Sequence, residues 1–455
     1  MKTLVSTLLL LLFLGTSLQG FAQDTLSLGE AIQLALQNNY GIKASRNDLL
    51  ASQNNATRGQ ANYFPSFDLS SGANISNANS TVGFAVRDEN GDNVIDPNTG
   101  KLVSREVTVP GITTWNANAG LNMTYTVFDG FGRKANYEIL QATVGQSQAQ
   151  VRNLVENTLS QVANAYYQLA RTENTYRIQQ EAVEVSQTRL QRARTQLDFG
   201  SGSRLLVLNA EVDLNADSVA LAQSALSLQN ARRNLLALLA GDLDRDFRVE
   251  TQVEFSETRS LEALFRKAMA QNSSLQLAEK AEKLAELNLQ VAEAARFPRL
   301  DINGSYSYRY ADNGPVSFLL TSENLSLNAG ASLNFNIFNG RQTATRIENA
   351  QLSVLSSQLR KEEAQKNLER DLLNALANYQ NSLDVLALQQ KSLEAARLNF
   401  EQTQEQYRLG QANSTQFREA QLNLIRVRNQ LNDLRYDTKL FEIELQRLTG
   451  ELGGE

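Results

Sequence analysis

A chain of 455 residues with neither cysteine nor histidine has no disulfide, no thiolate metal site, no Cys for lipid attachment and none of the Ser-His or Cys-His arrangements of nucleophilic catalysis. Its formal net charge of -6 is mild and spread along the sequence, without the basic stripe that tracks a phosphate backbone, so nucleic acid is excluded as a partner. Five prolines leave long stretches free to be helical, no glycine-rich phosphate loop is present, and no cofactor is expected.

Residues 1–22 read as a signal peptide: Lys2, an apolar run from Leu8 to Leu14, and small residues ending at Gly20-Phe21-Ala22, with cleavage expected after Ala22. No other segment offers ~18 consecutive apolar residues, so no spanning helix is expected. From Leu26 to Arg58 the apolar positions Leu28, Ile32, Ala35, Leu36, Ile42, Leu49 and Leu50 follow a helical period. Ser27 and Glu30 make a capping-box start, and Phe64-Pro65 forces an extended backbone after about Asn62. Beyond Pro65, Phe67, Leu69, Ala73 and Ile75 alternate with Ser66, Asp68, Asn74 and Ser76 as a weak strand.

Val86 to Gly111 is dense in Asp, Asn and Gly and reads as an exposed loop. Asp88, Asn90 and Asp92 resemble the start of a calcium loop, but Asn93 stands where Gly is needed and no Glu closes the set, which favours a plain solvated loop. Trp115, Ala117, Ala119, Leu121, Met123, Tyr125 and Val127 then alternate with Asn, Gly and Thr up to Asp129-Gly130. Such a strand has one apolar and one nearly uncharged polar face, and it is long enough to cross a membrane at a tilt. Arg133 to Leu197 follows without proline, a helix of about 97 Å that must be a coiled-coil arm. Asp198 to Ser203 breaks it, and Arg204 to Ala240 returns as a second helix.

After a polar linker the chain starts again. Ser260-Leu261 repeats Ser27-Leu28, Asn272 matches Asn39, and Phe297-Pro298 matches Phe64-Pro65. A strand carries Leu300, Ile302, Tyr306, Tyr308 and Tyr310; another, Leu325 to Gly340, alternates through Ile337. A long helix from Gln342 to Leu409, a break at Gly410 to Ser414 and a last helix to Leu448 complete the duplicate. The expected organisation is therefore 1–22 signal, 23–245 first repeat, 246–259 linker and 260–455 second repeat.

Helices 27–60 and 204–240 together match the length of the unbroken helix they return along, as do 260–295 and 412–449, which suggests a tube wall of quasi-equivalent helices. Four strands cannot close a barrel, and a sheet in lipid leaves no edge unpaired. The barrel must be shared between chains, twelve strands from three copies or sixteen from four, and three is the expectation. The fold class is thus mostly α with a small membrane β-barrel: duplicated hairpins in an α-barrel, and four strands per chain in a shared twelve-stranded barrel. Trp115, Tyr306, Tyr308 and Tyr310 are candidates for its aromatic girdle.

The duplicated plan, the Phe-Pro before the first strand of each repeat, the endings Val127-Phe128-Asp129-Gly130 and Ile337-Phe338-Asn339-Gly340, and Tyr407-Arg408-Leu409-Gly410 resemble the TolC family of outer-membrane efflux proteins across the whole mature chain. The resemblance implies a homotrimeric channel in outer-membrane lipid, joined to a periplasmic adaptor (membrane fusion protein) and an inner-membrane pump, that passively conducts solutes to the exterior. It implies adaptor contact at the hairpin tips, Gly200, Ser201, Gly202 and Ser203 in the first and Gly410, Gln411, Ala412 and Asn413 in the second. The plainer reading of Gly200 and Gly410 is that of helix C-caps. It also implies a periplasmic constriction of acidic residues after the second tip. Of the two family aspartates the first is Gln416 here and the second Glu419, with Tyr407 in the position that helps keep the constriction shut. A solvated surface charge is the plainer reading of Glu419. The rival class is a trimeric coiled-coil stalk or adhesin, which the returning helices argue against.

Overall fold

The computed structural model describes residues 25–257, 260–314 and 319–452; the expected signal peptide lies outside them. The chain runs β1 (Thr25–Leu26), α1 (Leu28–Asn38), α2 (Tyr40–Asn55), β2 (Ser66–Ala85), β3 (Ser104–Phe128), α3 (Gly132–Asp198), α4 (Arg204–Leu238), β4 (Arg248–Val249), α5 (Leu261–Gln271), α6 (Ser273–Ala294), β5 (Arg299–Asp312), β6 (Thr321–Asn334), α7 (Gln342–Arg408) and α8 (Ser414–Leu448). Two compact units result: a helical one from the chain up to Ser52, Val144–Glu282 and Ser357 onward, and a sheet unit from Gln53–Thr143 with Lys283–Ser356.

The hairpin helices of the two halves match in length. α3 and α7 are each 67 residues, and α4 and α8 are each 35. Where one helix was expected over 27–60, and again over 260–295, there are two. The interruptions are Asn39 and Asn272. Asn39 Oδ1 accepts from Ile42 N (3.2 Å) to start α2 while its Nδ2 donates to Leu238 O (3.1 Å) at the end of α4. Asn272 repeats this with Leu275 N (3.0 Å) and Leu448 O at the end of α8 (3.1 Å). Each amide so caps two helices, and the distant carbonyl partner is invisible to a helical period.

Apolar packing around Val162, Tyr166, Leu169, Leu235, Tyr436 and Ile443 forms one core of the helical unit; Leu368, Leu372, Tyr379 and Leu445 anchor a second. The stretch expected to be a polar linker is a strap laid over both. β4 pairs in parallel with β1, Thr25 opposite Arg248 and Leu26 opposite Val249. Three tyrosines then bind its backbone: Tyr166 Oη accepts from Glu250 N (3.0 Å) and donates to Leu26 O (3.0 Å), Tyr436 Oη donates to Thr251 O (3.0 Å), and Tyr379 Oη donates to Ser256 O (2.7 Å). The side chains of Phe247, Val249, Val253 and Phe255 turn inward. Their period-two spacing is legible, but it is diluted by the charges between them.

In the sheet unit the strands form an antiparallel meander, β2-β3-β5-β6. Register places Phe67, Leu69, Ala73 and Ile75 opposite Met123, Leu121, Ala117 and Trp115, then Leu121 opposite Tyr306 and Ala119 opposite Tyr308, then these two opposite Leu327 and Leu325. One apolar face therefore runs unbroken across four strands. The other is polar and internally bonded, with Ser307 Oγ 2.8 Å from Ser326 Oγ and Asn122 Nδ2 donating to Ser70 Oγ at 3.3 Å. Trp115 and Tyr310 touch on the apolar face, centroids 4.8 Å apart.

Two strand boundaries differ from expectation. β3 begins at Ser104 rather than Trp115, so the loop shrinks to 86–103 and β2 and β3 extend together beyond the meander. β6 stops at Asn334 instead of reaching Ile337, because its partner β5 begins at Arg299 after Pro298 and offers nothing further to pair with. Phe335, Ile337 and Phe338 are left 56%, 87% and 84% exposed.

Candidate functional site

The two tips are built alike. α3 ends with Gly200 at φ +72°, Ser201 N donating to Gln196 O (2.9 Å) and Gly200 N to Leu197 O (2.9 Å); α7 ends with Gly410 at φ +76°, Gln411 N donating to Gln406 O (2.8 Å) and Gly410 N to Tyr407 O (3.2 Å). Both are Schellman turns, which require a left-handed residue and so select glycine. A Cβ on Gly200 or Gly410 would meet nothing within 4 Å, whereas one on Gly202 would lie 2.9 Å from Gln196 Cβ. Ser203 caps α4 through Leu206 N (3.3 Å). Asn413 caps α8 in a reciprocal box with Gln416, both bonds 2.9 Å. Gln416 is thereby engaged at the helix start, and Phe199 and Leu409 stand exposed at the tips, 83% and 57%.

The other predicted residues part company. Tyr407 is buried against Phe417, centroids 4.9 Å apart, which in turn packs on Phe400 at 5.5 Å. Arg192 of α3 lies 5.0 Å from the Tyr407 ring centre and donates to Arg408 O at 2.6 Å, and Tyr407 Oη finds no partner among the described residues. Glu419 is exposed and forms no ion pair among the described residues. Tyr407, at the end of α7, therefore packs on the Phe417 side of α8, while Glu419 faces solvent away from it.

Behind the second tip is a buried polar layer that sequence reasoning did not find. Arg418, next to Glu419, turns inward and grips Asp217 of α4 with two bonds, 2.7 and 2.8 Å, with Asp213 at 3.6 Å. Ser186 Oγ donates to Asp217 (2.5 Å), Arg189 pairs with Asp213, and Gln421 Nε2 donates to Ser186 Oγ (3.2 Å). Burial works against the Arg418 charge, but the Asp217 bonds and the charges of Asp217 and Asp213 outweigh it and raise its pKa. Further along α8, Arg428 pairs with Glu181 and Arg171 with Asp437. The signal was a pair of carboxylates, Asp213 and Asp217, one turn apart among Val212, Leu214 and Val219.

Elsewhere acidic groups are already engaged. Among the described residues no cluster of three or more His, Cys, Asp or Glu could hold a metal. In the 86–103 loop Asp88 Oδ1 accepts from Asn90 N and Asp92 N, both 2.9 Å, and Asp96 accepts from Asn98 N and Thr99 Oγ1, so these carboxylates close turns. A cavity of about 510 Å³ between α1 and the end of α4 is lined by Glu30 and Asp242. Glu30 caps Ser27, whose backbone and hydroxyl bonds lower its pKa, and Asp242 accepts from Asp244 N.

The model of the outer membrane efflux protein family matches residues 31–241 and 264–451. The outer membrane efflux protein BepC of Brucella suis is 20% identical over 99% of this chain and 91% of its own, and the cation efflux system protein CusC of Escherichia coli K12 is 24% identical over 74% of each. Among solved structures, the Campylobacter jejuni CmeC outer membrane channel superposes with a TM-score of 0.75 at 16% identity, covering 93% of this chain and 85% of that one.

Proposed function

The chain belongs to the outer membrane efflux protein family, and from that premise we propose that it forms, as three copies, the passive exit duct of a tripartite efflux or type I secretion system. Its place is the outer membrane and its role is export. The sheet sets the membrane level: from Trp115 to Tyr125 the apolar face spans about 33 Å along the strand, roughly 24 Å in height at a ~45° tilt, close to the apolar band of a transmembrane barrel.

One observation carries the head-to-tail assembly. Gly130, at the end of β3, sits so tightly on the next repeat that a Cβ would lie 2.5 Å from Ala294 O and 2.6 Å from Phe297 Cβ. Its duplicate Gly340, just before α7, has nothing within 4 Å. The duplication assigns the missing contact to Ala61 and Phe64 of a neighbouring copy, since these match Ala294 and Phe297. Such head-to-tail contacts close into a ring. The open edges of β2 and β6, exposed Phe335, Ile337 and Phe338, and an apolar stripe at Leu205, Leu208, Val212, Val219 and Leu226 of α4 are surfaces for the same neighbour.

In this assembly the tips, Gly200 to Ser203 and Gly410 to Asn413 with exposed Phe199 and Leu409, take the periplasmic adaptor, which connects to an inner-membrane pump. Glu419 forms a ring of three carboxylates at the constriction. Tyr407, held between Phe417 and Arg192, and Arg418, held by Asp217, keep α8 against the first hairpin, so opening must break these contacts. The duct makes no bonds; the pump supplies the energy. Sedimentation in detergent tests the assembly: a mass of three protomers is expected, and a monomer that still shows the native helical spectrum would overturn it.

A further inference from the structure

Beyond Trp115 the β2–β3 ribbon leaves the four-stranded sheet, and there the distribution of its apolar residues inverts. Along β2, the residues sharing a face with Phe67, Leu69 and Ile75 become Asn77, Asn79, Thr81 and Gly83, while the face that carried Asp68, Ser70, Asn74 and Ser76 comes to carry Val82 and Phe84. A bulge makes β3 follow. Ala78 pairs with Ile112 but Ser80 with Val109, so Pro110 and Gly111 together oppose Asn79. Gly111 takes φ +70°, and the bulge is pinned by Gly111 N donating to Asn79 Oδ1 (2.9 Å) and Asn77 Nδ2 donating to Gly111 O (3.2 Å). The extra residue moves Val109 and Val107 to the side of Val82 and Phe84, with Arg105 opposite Phe84 at the outer end of that side, leaving Thr108, bonded to Thr81 at 2.8 Å, and Glu106 on the other.

Below the bulge the polar face is the water-filled inside of the proposed barrel and the apolar face meets lipid. Above it, past the Trp115–Tyr310 aromatic pair, the apolar side is the inside. Ile112, at the bulge on that inner side, is already covered, by Gly314. Phe84 and Val107 are not, at 53% and 36% exposed. A two-stranded ribbon with six paired residues per arm, about 20 Å, is at best marginally stable alone. Across the axis of a ring, this inner face meets the same face of the other copies.

We propose that Val82, Phe84, Val107 and Val109 of the three copies pack together above the membrane as a collar around the outer mouth of the duct. The bulge is the device that turns a lipid-facing hairpin into a self-associating one, and the collar sets the width of the exit. This rests on the trimer reading, and the test separates the two.

Because the native chain has no cysteine, Phe84→Cys and Glu106→Cys each place a single thiol on opposite ribbon faces. Each purified full-length variant is treated in detergent with a short bismaleimide, after sedimentation has established its mass. The collar predicts trimeric mass for both and severalfold more cross-linked dimer from Phe84→Cys than from Glu106→Cys. Trimers in which Phe84→Cys stays uncross-linked, or in which the two thiols cross-link equally, overturn the collar while leaving the trimer standing; so would capture of an added solute or protein by that face in place of the neighbour. A monomeric mass overturns the trimer and the collar with it.

Discussion

Arg418 and Glu419 are neighbours in sequence, yet one is locked to Asp217 and the other faces solvent. Removing the guanidinium leaves Asp217 buried and unpaired, a loss of about 3 kcal/mol for a pair of this kind. Arg418→Ala is therefore expected to free α8 from α4 and to raise single-channel conductance, with Glu419 untouched; an unchanged conductance would mean that this layer does not restrain the duct. Tyr436 gives a separate readout. Burial first of all pushes its pKa from 10.0 up to about 12. A folded value above the unfolded one favours the native state fully below about pH 10 and loses that contribution as pH rises through about 12. Thermal stability should fall over that window, and less steeply in Tyr436→Phe.

At the scale of elements, the asparagines between paired helices carry the sharpest expectation. Asn272→Ala removes the start of α6 and the cap on Leu448 O together, costing about 2 kcal/mol, measurable as a lower Tm, and Asn39→Ala should match it. Helices, hairpin breaks and the duplication were legible because period, proline spacing and tip glycines are local signals. Asn39 and Asn272 were visible as a repeated residue but not as a break, because their carbonyl partners, Leu238 O and Leu448 O, lie 199 and 176 residues away in sequence. The strap was lost for a similar reason: the groups that hold it are tyrosines on three different helices. In the candidate site the helix C-cap reading of Gly200 and Gly410 was legible from turn chemistry, whereas nothing local joins Arg189 to Asp213 or Arg418 to Asp217, which only packing brings together. Of the outer ribbon, residues 104–111 were read as part of an Asp-, Asn- and Gly-dense loop, and β2 was not followed past Ser76, where its apolar residues change face and the alternation of a strand breaks.

For the whole molecule, Gly340 separates folding from assembly. Gly340→Ala pays only the left-handed backbone strain in the protomer, roughly 1–2 kcal/mol, but in a closed ring its Cβ would strike the neighbour as one on Gly130 would strike Ala294 O. The variant should keep its helical spectrum and sediment as a monomer. A conducting trimer constricted at the second hairpin is tested by the conductance of purified protein in a planar bilayer, wild type beside Glu419→Ala and Arg418→Ala. Small cation-preferring steps are expected, which lose their preference in Glu419→Ala and grow in Arg418→Ala. Trimers that conduct in none of the three forms would contradict this and leave the stalk as the better reading.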